Sequence, residues 1–172
     1  MRLLFEMDKK DYGGCTHTFT RDSARSIIIR NGKIAMIHSL KYDYYKFPGG
    51  GIEPKENAAD ALIRETAEEA GLTVIPDSIR EYGYVHRIQK STVKEDEYFV
   101  QDNFYYLCDV EEGVGPQKLD DYESDEQFTL EYVIPENAIL SNRTKDHGAK
   151  DQVMLEREAR VLEMLLSEGL IE

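Results

Sequence analysis

Residues Gly50 to Leu72 read GGIEPKENAADALIRETAEEAGL, a glycine turn followed by a helical pattern with three glutamates on one edge. Glu65, Glu68 and Glu69 occupy relative positions zero, three and four. At about 100° per residue they fall within an arc of roughly 100°. Like charges so spaced repel by roughly a few tenths of a kcal/mol per pair, a cost that a bound cation removes. Oxygen ligands at this density suit Mg²⁺ or Mn²⁺ better than zinc, which favours sulfur and imidazole. A bare glutamate run is usually a solvated helix face. The glycine turn before it and Gly71 at its end shift the reading to a metal site.

The order of residues carries a resemblance. Gly50, five residues, Glu56, seven residues, Arg64-Glu65, an apolar slot, one residue, Glu68-Glu69, one residue, Gly71 and Leu72 resembles the Nudix box. Every glycine and charged element is present, and the one departure is Thr66 in the first apolar slot. On the helix wheel Thr66 lies with Ala59, Ile63 and Ala70, opposite the acids, so it should face the core. Its hydroxyl can bond a carbonyl one turn back. The box covers 23 of the 172 residues.

Outward from the box, composition sets limits. The length fits one domain over residues 1–172 with a sizeable core. Hydrophobic residues at 41% and charged residues at 32% fit a folded, soluble chain. No apolar run approaches the roughly 20 residues of a membrane span. The opening MRLLFEMDKKDYGG has too short an apolar stretch for a signal peptide. Cys15 and Cys108 lack metal-like spacing, so two buried free thiols in a reducing cytoplasm are expected. A net charge of −13 argues against nucleic-acid binding, which needs a basic footprint. A small anionic substrate remains compatible with it, since metal and local arginines reverse the sign locally. A homodimer is compatible as well.

The chain pattern is strands, a helix, more strands and a last helix. Arg25 to Arg30 and Lys33 to Ser39 are β-branched runs around Asn31-Gly32, a strong hairpin signal. Phe47 to Gly51 should turn. Asn57 suits the N-cap, and Gly71 the left-handed C-cap, of a helix from Ala58 to Ala70. Strands are expected at Glu81 to Gln89, Tyr98 to Val110 and Phe128 to Ile134. An amphipathic helix follows from Asp151 to Ser167 (the block 151–168 to its end), stopped by Gly169 and packed on the rest. These elements predict an α/β fold, a mixed sheet with helices against it. The resemblance adds the α/β/α sandwich of the Nudix fold.

The resemblance also implies roles. Glu65 and Glu69, then Glu68, are the expected ligands of Mg²⁺, with Mn²⁺ able to substitute, and the Gly50 carbonyl is a further ligand. Arg64 and Glu56 match the box's orienting pair. Many relatives in the family draw another carboxylate from a later loop, and here the acidic run Asp120 to Glu126 offers Glu126, or failing that Glu123, as base or ligand. Arg25 and Arg87 are candidate phosphate contacts. Tyr45, with Tyr42 and Tyr44, is a candidate for stacking a base. His38 and His86 read more simply as satisfied strand residues.

Together these imply Mg²⁺-dependent hydrolysis of a pyrophosphate bond in a nucleoside diphosphate linked to another moiety, on a small nucleotide. The alternative is a non-catalytic nucleotide-binding sensor on the same fold. A weaker third reading, isoprenoid diphosphate isomerisation, would want a catalytic cysteine in a motif that neither cysteine has. No proline lies between Pro76 and Pro116, where ADP-ribose enzymes of the family carry one. The tryptophan of the NADH-cleaving group is absent too.

Overall fold

The computed structural model describes residues 1–171. The box helix, α1 (Ala58–Ala70), has the boundaries its caps dictate. The Asn57 side chain accepts from the Asp60 backbone N–H at 2.9 Å. Gly71 has φ 66° and donates to the Ala67 carbonyl, a conformation that costs a residue with a Cβ.

Before α1 come β1 (Leu3–Asp8), β2 (His17–Thr20), β3 (Ser23–Ile27), β4 (Ile29–Arg30), β5 (Lys33–Ser39), β6 (Tyr44–Lys46) and β7 (Gly49–Gly51). After it come β8 (Arg80–Lys90), β9 (Glu97–Leu107), α2 (Asp121–Asp125), β10 (Phe128–Val133), α3 (Pro135–Thr144) and α4 (Gln152–Ser167). The larger sheet runs β1-β8-β9-β3-β7, with β2 also pairing β9. It is mixed: β1–β8, β2–β9 and β3–β9 are parallel, β8–β9 and β3–β7 antiparallel. The smaller sheet runs β10-β5-β4, with β6 on β5.

The Asn31-Gly32 hairpin forms, both residues with positive φ, pairing Arg30 with Lys33. The single strand expected over Arg25 to Arg30 is instead two. The Ile27 carbonyl accepts from Cys108 and the Ile28 carbonyl from Ala35, so the chain passes from the larger sheet to the smaller within one residue. The glycine run, expected only to turn, is the edge strand β7. The acidic loop is in part the short helix α2.

Alternation decides the layers. Ala24, Ile28, Ala35 and Ile37 enter a core with Ala61, Leu62 and Ala70 of α1. Ile27, Ile34 and Met36, one residue out of phase, enter a second core with Ala138 of α3 and Val161, Leu162 and Leu165 of α4. Strands buried on both faces need helices on both sides. This is the expected α/β/α sandwich. Each fully buried Leu or Ile contributes about 1.5–3 kcal/mol.

Thr66 is fully buried, as its wheel position requires. Its hydroxyl donates to Ser26 Oγ at 3.1 Å and so ties α1 to β3. Both cysteines are free, Cys108 buried and Cys15 only half-buried, so the expected burial holds for Cys108 alone. No described helix is long and apolar enough to cross a membrane.

Candidate active site

The acidic edge of α1 meets β7, and glycine makes that meeting possible. A Cβ on Gly50 would lie 2.3 Å from Glu65 Oε2, and one on Gly49 (φ 140°) 2.1 Å from the Ala24 carbonyl oxygen. Neither position tolerates a side chain without displacing its neighbour. The space a side chain would take at Gly50 is filled by the Glu65 carboxylate.

Arg64 organises this edge. Its Nε and Nη2 each donate to Glu56 at 2.8 Å, and Nη2 also donates to the Gly51 carbonyl at 3.1 Å. Its Nη1 donates to Glu65 at 2.6 Å and to Glu68 at 3.3 Å. The fork thus holds the orienting carboxylate with one side and two candidate ligands with the other. Bonding to Arg64 pulls the Glu56 carboxyl down to about 2.

Glu69 lies deeper, 1% exposed. Its carboxylate accepts from the Gly49 backbone N–H at 2.9 Å and pairs with the ammonium of Lys46. Burial pushes its pKa up to about 7, against the pull of Lys46 and the Gly49 N–H, and the charge of Glu123 pushes the same way. Burial likewise raises Glu65, with Arg64 opposing. Desolvation of a carboxylate favours its neutral form unless a cation is close.

Among the described residues no three His, Cys, Asp or Glu side chains already converge as a metal cage. Instead, Arg64 bridges Glu65 and Glu68, and Lys46 stands against Glu69 where positive charge is needed. The donor set still fits a hard divalent cation: carboxylate oxygens on one helix edge, space cleared by Gly50, and two side-chain cations already marking the demand for charge.

The segment after β9 packs over the end of α1. Gln117 Nε2 donates to the carbonyls of Glu69 and Phe128, and the Lys118 N–H to that of Glu68. This brings Glu123 of α2 within electrostatic reach of Glu69. Glu123 accepts from the Asp120 N–H at 2.8 Å and from the Tyr122 hydroxyl at 3.0 Å. Glu126, as buried as Glu123, has other partners. Its carboxylate is buried, accepting from the Tyr44 hydroxyl at 2.6 Å and pairing with Lys150 at 2.5 Å. Of the two loop glutamates, Glu123 is the one whose charge acts on Glu69, while Glu126 is engaged by Lys150.

The expected substrate contacts are scattered. Arg25 is buried beneath the glycine strand, within 3.4 Å of the Phe47 and Gly49 carbonyl oxygens. Tyr45 stacks on His38 at 4.3 Å, with its hydroxyl 3.3 Å from Glu131, in the second core. Arg87 pairs with Asp151 and lines an open cavity elsewhere on the sheet. His38 pairs with Asp43 and Glu131, and His86 with Asp102, as satisfied strand histidines would. Sequence reasoning passed over Lys46. Its signal is a lysine inside the run YYKFP, where a buried ammonium demands a carboxylate.

A family model described as NUDIX domain matches residues 20–156. An RNA pyrophosphohydrolase of Pseudomonas savastanoi pv. phaseolicola is 44% identical over 48 residues, 27% of this chain and 30% of that protein. The chain therefore spans under a third of the length of the first curated relatives it matches. The proposed 8-oxo-dGTP diphosphatase YtkD of Bacillus subtilis is 32% identical over 110 residues, 64% of this chain and 61% of YtkD. A NUDIX hydrolase structure from Nitrosomonas europaea superposes with TM-score 0.62 at 14% identity, covering 88% of this chain and 90% of that one. A structure of MutT, from work on the Aliivibrio salmonicida and Vibrio cholerae proteins, gives 0.56 at 17%, covering 87% and 99%. These two show likeness of fold.

Proposed function

The chain belongs to the Nudix family, and from that premise we propose that it hydrolyses the pyrophosphate bond of a nucleoside diphosphate linked to another moiety. The substrate is a small nucleotide, and Mg²⁺, replaceable by Mn²⁺, is held by Glu65, Glu68 and Glu69. The observation that carries this reading is the gathering of Glu65, Glu68 and Glu69 on one edge of α1 against the glycine strand, where Arg64 holds the first two and the Gly49 N–H the third. Burial also raises the Glu69 carboxyl to about 7, and perturbed acids gather at functional sites. The names of both curated relatives, RNA pyrophosphohydrolase and 8-oxo-dGTP diphosphatase, denote diphosphate cleavage and support the same class.

When bound, the divalent ion supplies charge neutralisation of the pyrophosphate, polarisation of its P–O bonds and acidification of water. The protein's own residues do the rest. Arg64 keeps Glu56 fixed and holds Glu65 and Glu68 at the helix edge. The Gly49 N–H fixes the rotamer of Glu69. Glu123, outside the α1 set, takes the proton of the attacking water at its carboxylate, since a carboxylate bound to a cation is a poorer base. Two free thiols and the net charge of −13 fit a reducing cytoplasm and a small substrate in place of a nucleic acid.

Release of nucleoside monophosphate from a panel of nucleotides, with Mg²⁺ and with EDTA, tests this reading. Release from at least one nucleotide only when Mg²⁺ is present is expected. Nucleotide binding without release under either condition would instead support the non-catalytic sensor.

A further inference from the structure

An open cavity of about 760 Å³ lies over the β2 end of the larger sheet, on the α4 side. The register explains its lining. Phe19 and Gln89 both pair with Phe99, and Arg87 pairs two residues along on the same face, with Gln101. Paired residues share a face, so Phe19, Phe99 and Gln89 project together. The two phenyl rings stack at 5.9 Å, and Phe19 is 47% exposed, which leaves an aromatic face open. Gln89, by contrast, is only 7% exposed. Its Oε1 accepts from Arg87 Nη2 at 2.8 Å and Nε at 3.2 Å, which fixes the carboxamide. The amide nitrogen of Gln89 is left with no acceptor among the described residues. Around the cavity Arg87 pairs with Asp151 and Lys94 with Glu97, which leaves Lys9 as one added positive charge on a chain of net charge −13.

The cavity and the glycine strand are related through β9, whose Phe99 pairs with Phe19 and whose Asn103 pairs with Ser23. Ser23 pairs with both Asn103 and Gly51, four residues from Phe19, or roughly 13 Å along the strand. Between them the Arg21 guanidinium packs on Gly51, where a Cβ would lie 2.4 Å from its Nε. No carboxylate pairs with Arg21 among the described residues. From the other side Arg64 donates to the Gly51 carbonyl. An anion crossing Gly51 would pass from one guanidinium toward the next.

We propose that this cavity seats the nucleobase of the substrate, stacked on Phe19 and Phe99, with the Gln89 amide donating to an acceptor on the base edge and Arg21 meeting the phosphates. This rests on the nucleotide reading above and says where the base lies. Aromatic stacking tolerates any base, because every base has a π face. The amide donor selects bases presenting a carbonyl or ring nitrogen at that edge.

The chain has no tryptophan, so Phe19→Trp places a single indole reporter in the cavity. In EDTA, adenosine and guanosine 5′-monophosphates are titrated against ribose 5-phosphate as the base-free control. Saturable quenching by at least one mononucleotide, and none by ribose 5-phosphate, is expected. By calorimetry, Phe19→Ala should bind the mononucleotide about tenfold more weakly than the unsubstituted chain. Absence of quenching, equal response to ribose 5-phosphate, or unchanged affinity in Phe19→Ala overturns the assignment. Because metal and turnover are absent from these titrations, the base seat and the hydrolase reading fail separately. Base-dependent quenching in a protein that releases no nucleoside monophosphate upholds the seat and removes the hydrolase. Metal-dependent turnover with no quenching does the reverse.

Discussion

Glu69→Gln is expected to lower metal-dependent turnover by about 10²–10⁴-fold while the protein stays folded. Gln keeps the shape and can still accept from the Gly49 N–H, but it offers a divalent ion no negative charge. The pH dependence of stability separates this from a packing effect. The folded Glu69 carboxyl titrates at about 7, above the ordinary value near 4.5 that it regains on unfolding. A raised value means that the folded state holds the proton more tightly. That stabilising contribution is complete below about pH 4.5 and is lost as the pH rises through 7. Gln has no such proton, so the metal-free variant should gain on the parent by about 3 kcal/mol between pH 4.5 and 8. Urea melts of both proteins across this range measure it. Activity lost together with the folded state would mean that the carboxylate is structural.

Glu158→Leu should be the most destabilising single change in α4. Glu158 is fully buried and accepts from the Phe47 N–H at 2.7 Å, the Tyr105 hydroxyl at 3.0 Å and Arg157 Nε at 2.8 Å. Arg157, 1% exposed, also donates to Asn103 at 2.8 Å. Burial alone would raise the Glu158 carboxyl, yet Arg157, Arg25 and the Phe47 N–H together hold it below its usual range. Leucine leaves the Arg157 guanidinium buried without its counter-ion, at a cost of about 3–5 kcal/mol. For a chain of this length that is a fall in Tm of roughly 10 °C. The double variant Arg157→Met, Glu158→Leu should recover most of the loss, because the unpaired charge is gone. A single variant within about 1 kcal/mol of the parent would show that the pair is not fixing α4 to the Phe47 turn.

Glu158 also shows where the sequence misleads. The run QVMLEREARVLEMLLS reads as an amphipathic helix with charged residues outside, and α4 has the expected boundaries. Arg157 and Glu158 are nevertheless inside, because each satisfies the other and no single-residue pattern encodes a pair. α1 was legible in full, since its signals are local: a cap at Asn57, a left-handed stop at Gly71 and a continuous period between them. α3 was not. Its buried positions are Pro135, Ala138, Ser141 and Asn142, nearly without apolar signal. Asn142 docks the helix by exchanging two hydrogen bonds with the Tyr45 backbone, both 2.8 Å. β1 and β2 were missed because each is made by parallel pairing with a partner some 80 residues away. At the site, the box residues lie together as their order implies. The loop carboxylate could not be chosen from sequence, because Glu123 and Glu126 differ only in which side of a short helix they occupy. The substrate contacts read from isolated arginines and tyrosines depended on strand faces that only the register defines.

The central claim is that the acidic edge of α1 takes a divalent cation, which replaces Lys46 at Glu69 while Arg64 goes on orienting Glu56 and the helix edge. Crystals soaked in millimolar Mn²⁺ with a non-hydrolysable nucleotide diphosphate analogue test it most directly, read at the manganese absorption edge. The account predicts an anomalous peak beside Glu65 and Glu69, with Lys46 withdrawn from Glu69. Analogue bound with no anomalous peak at this edge, and Lys46 still paired with Glu69, would contradict it.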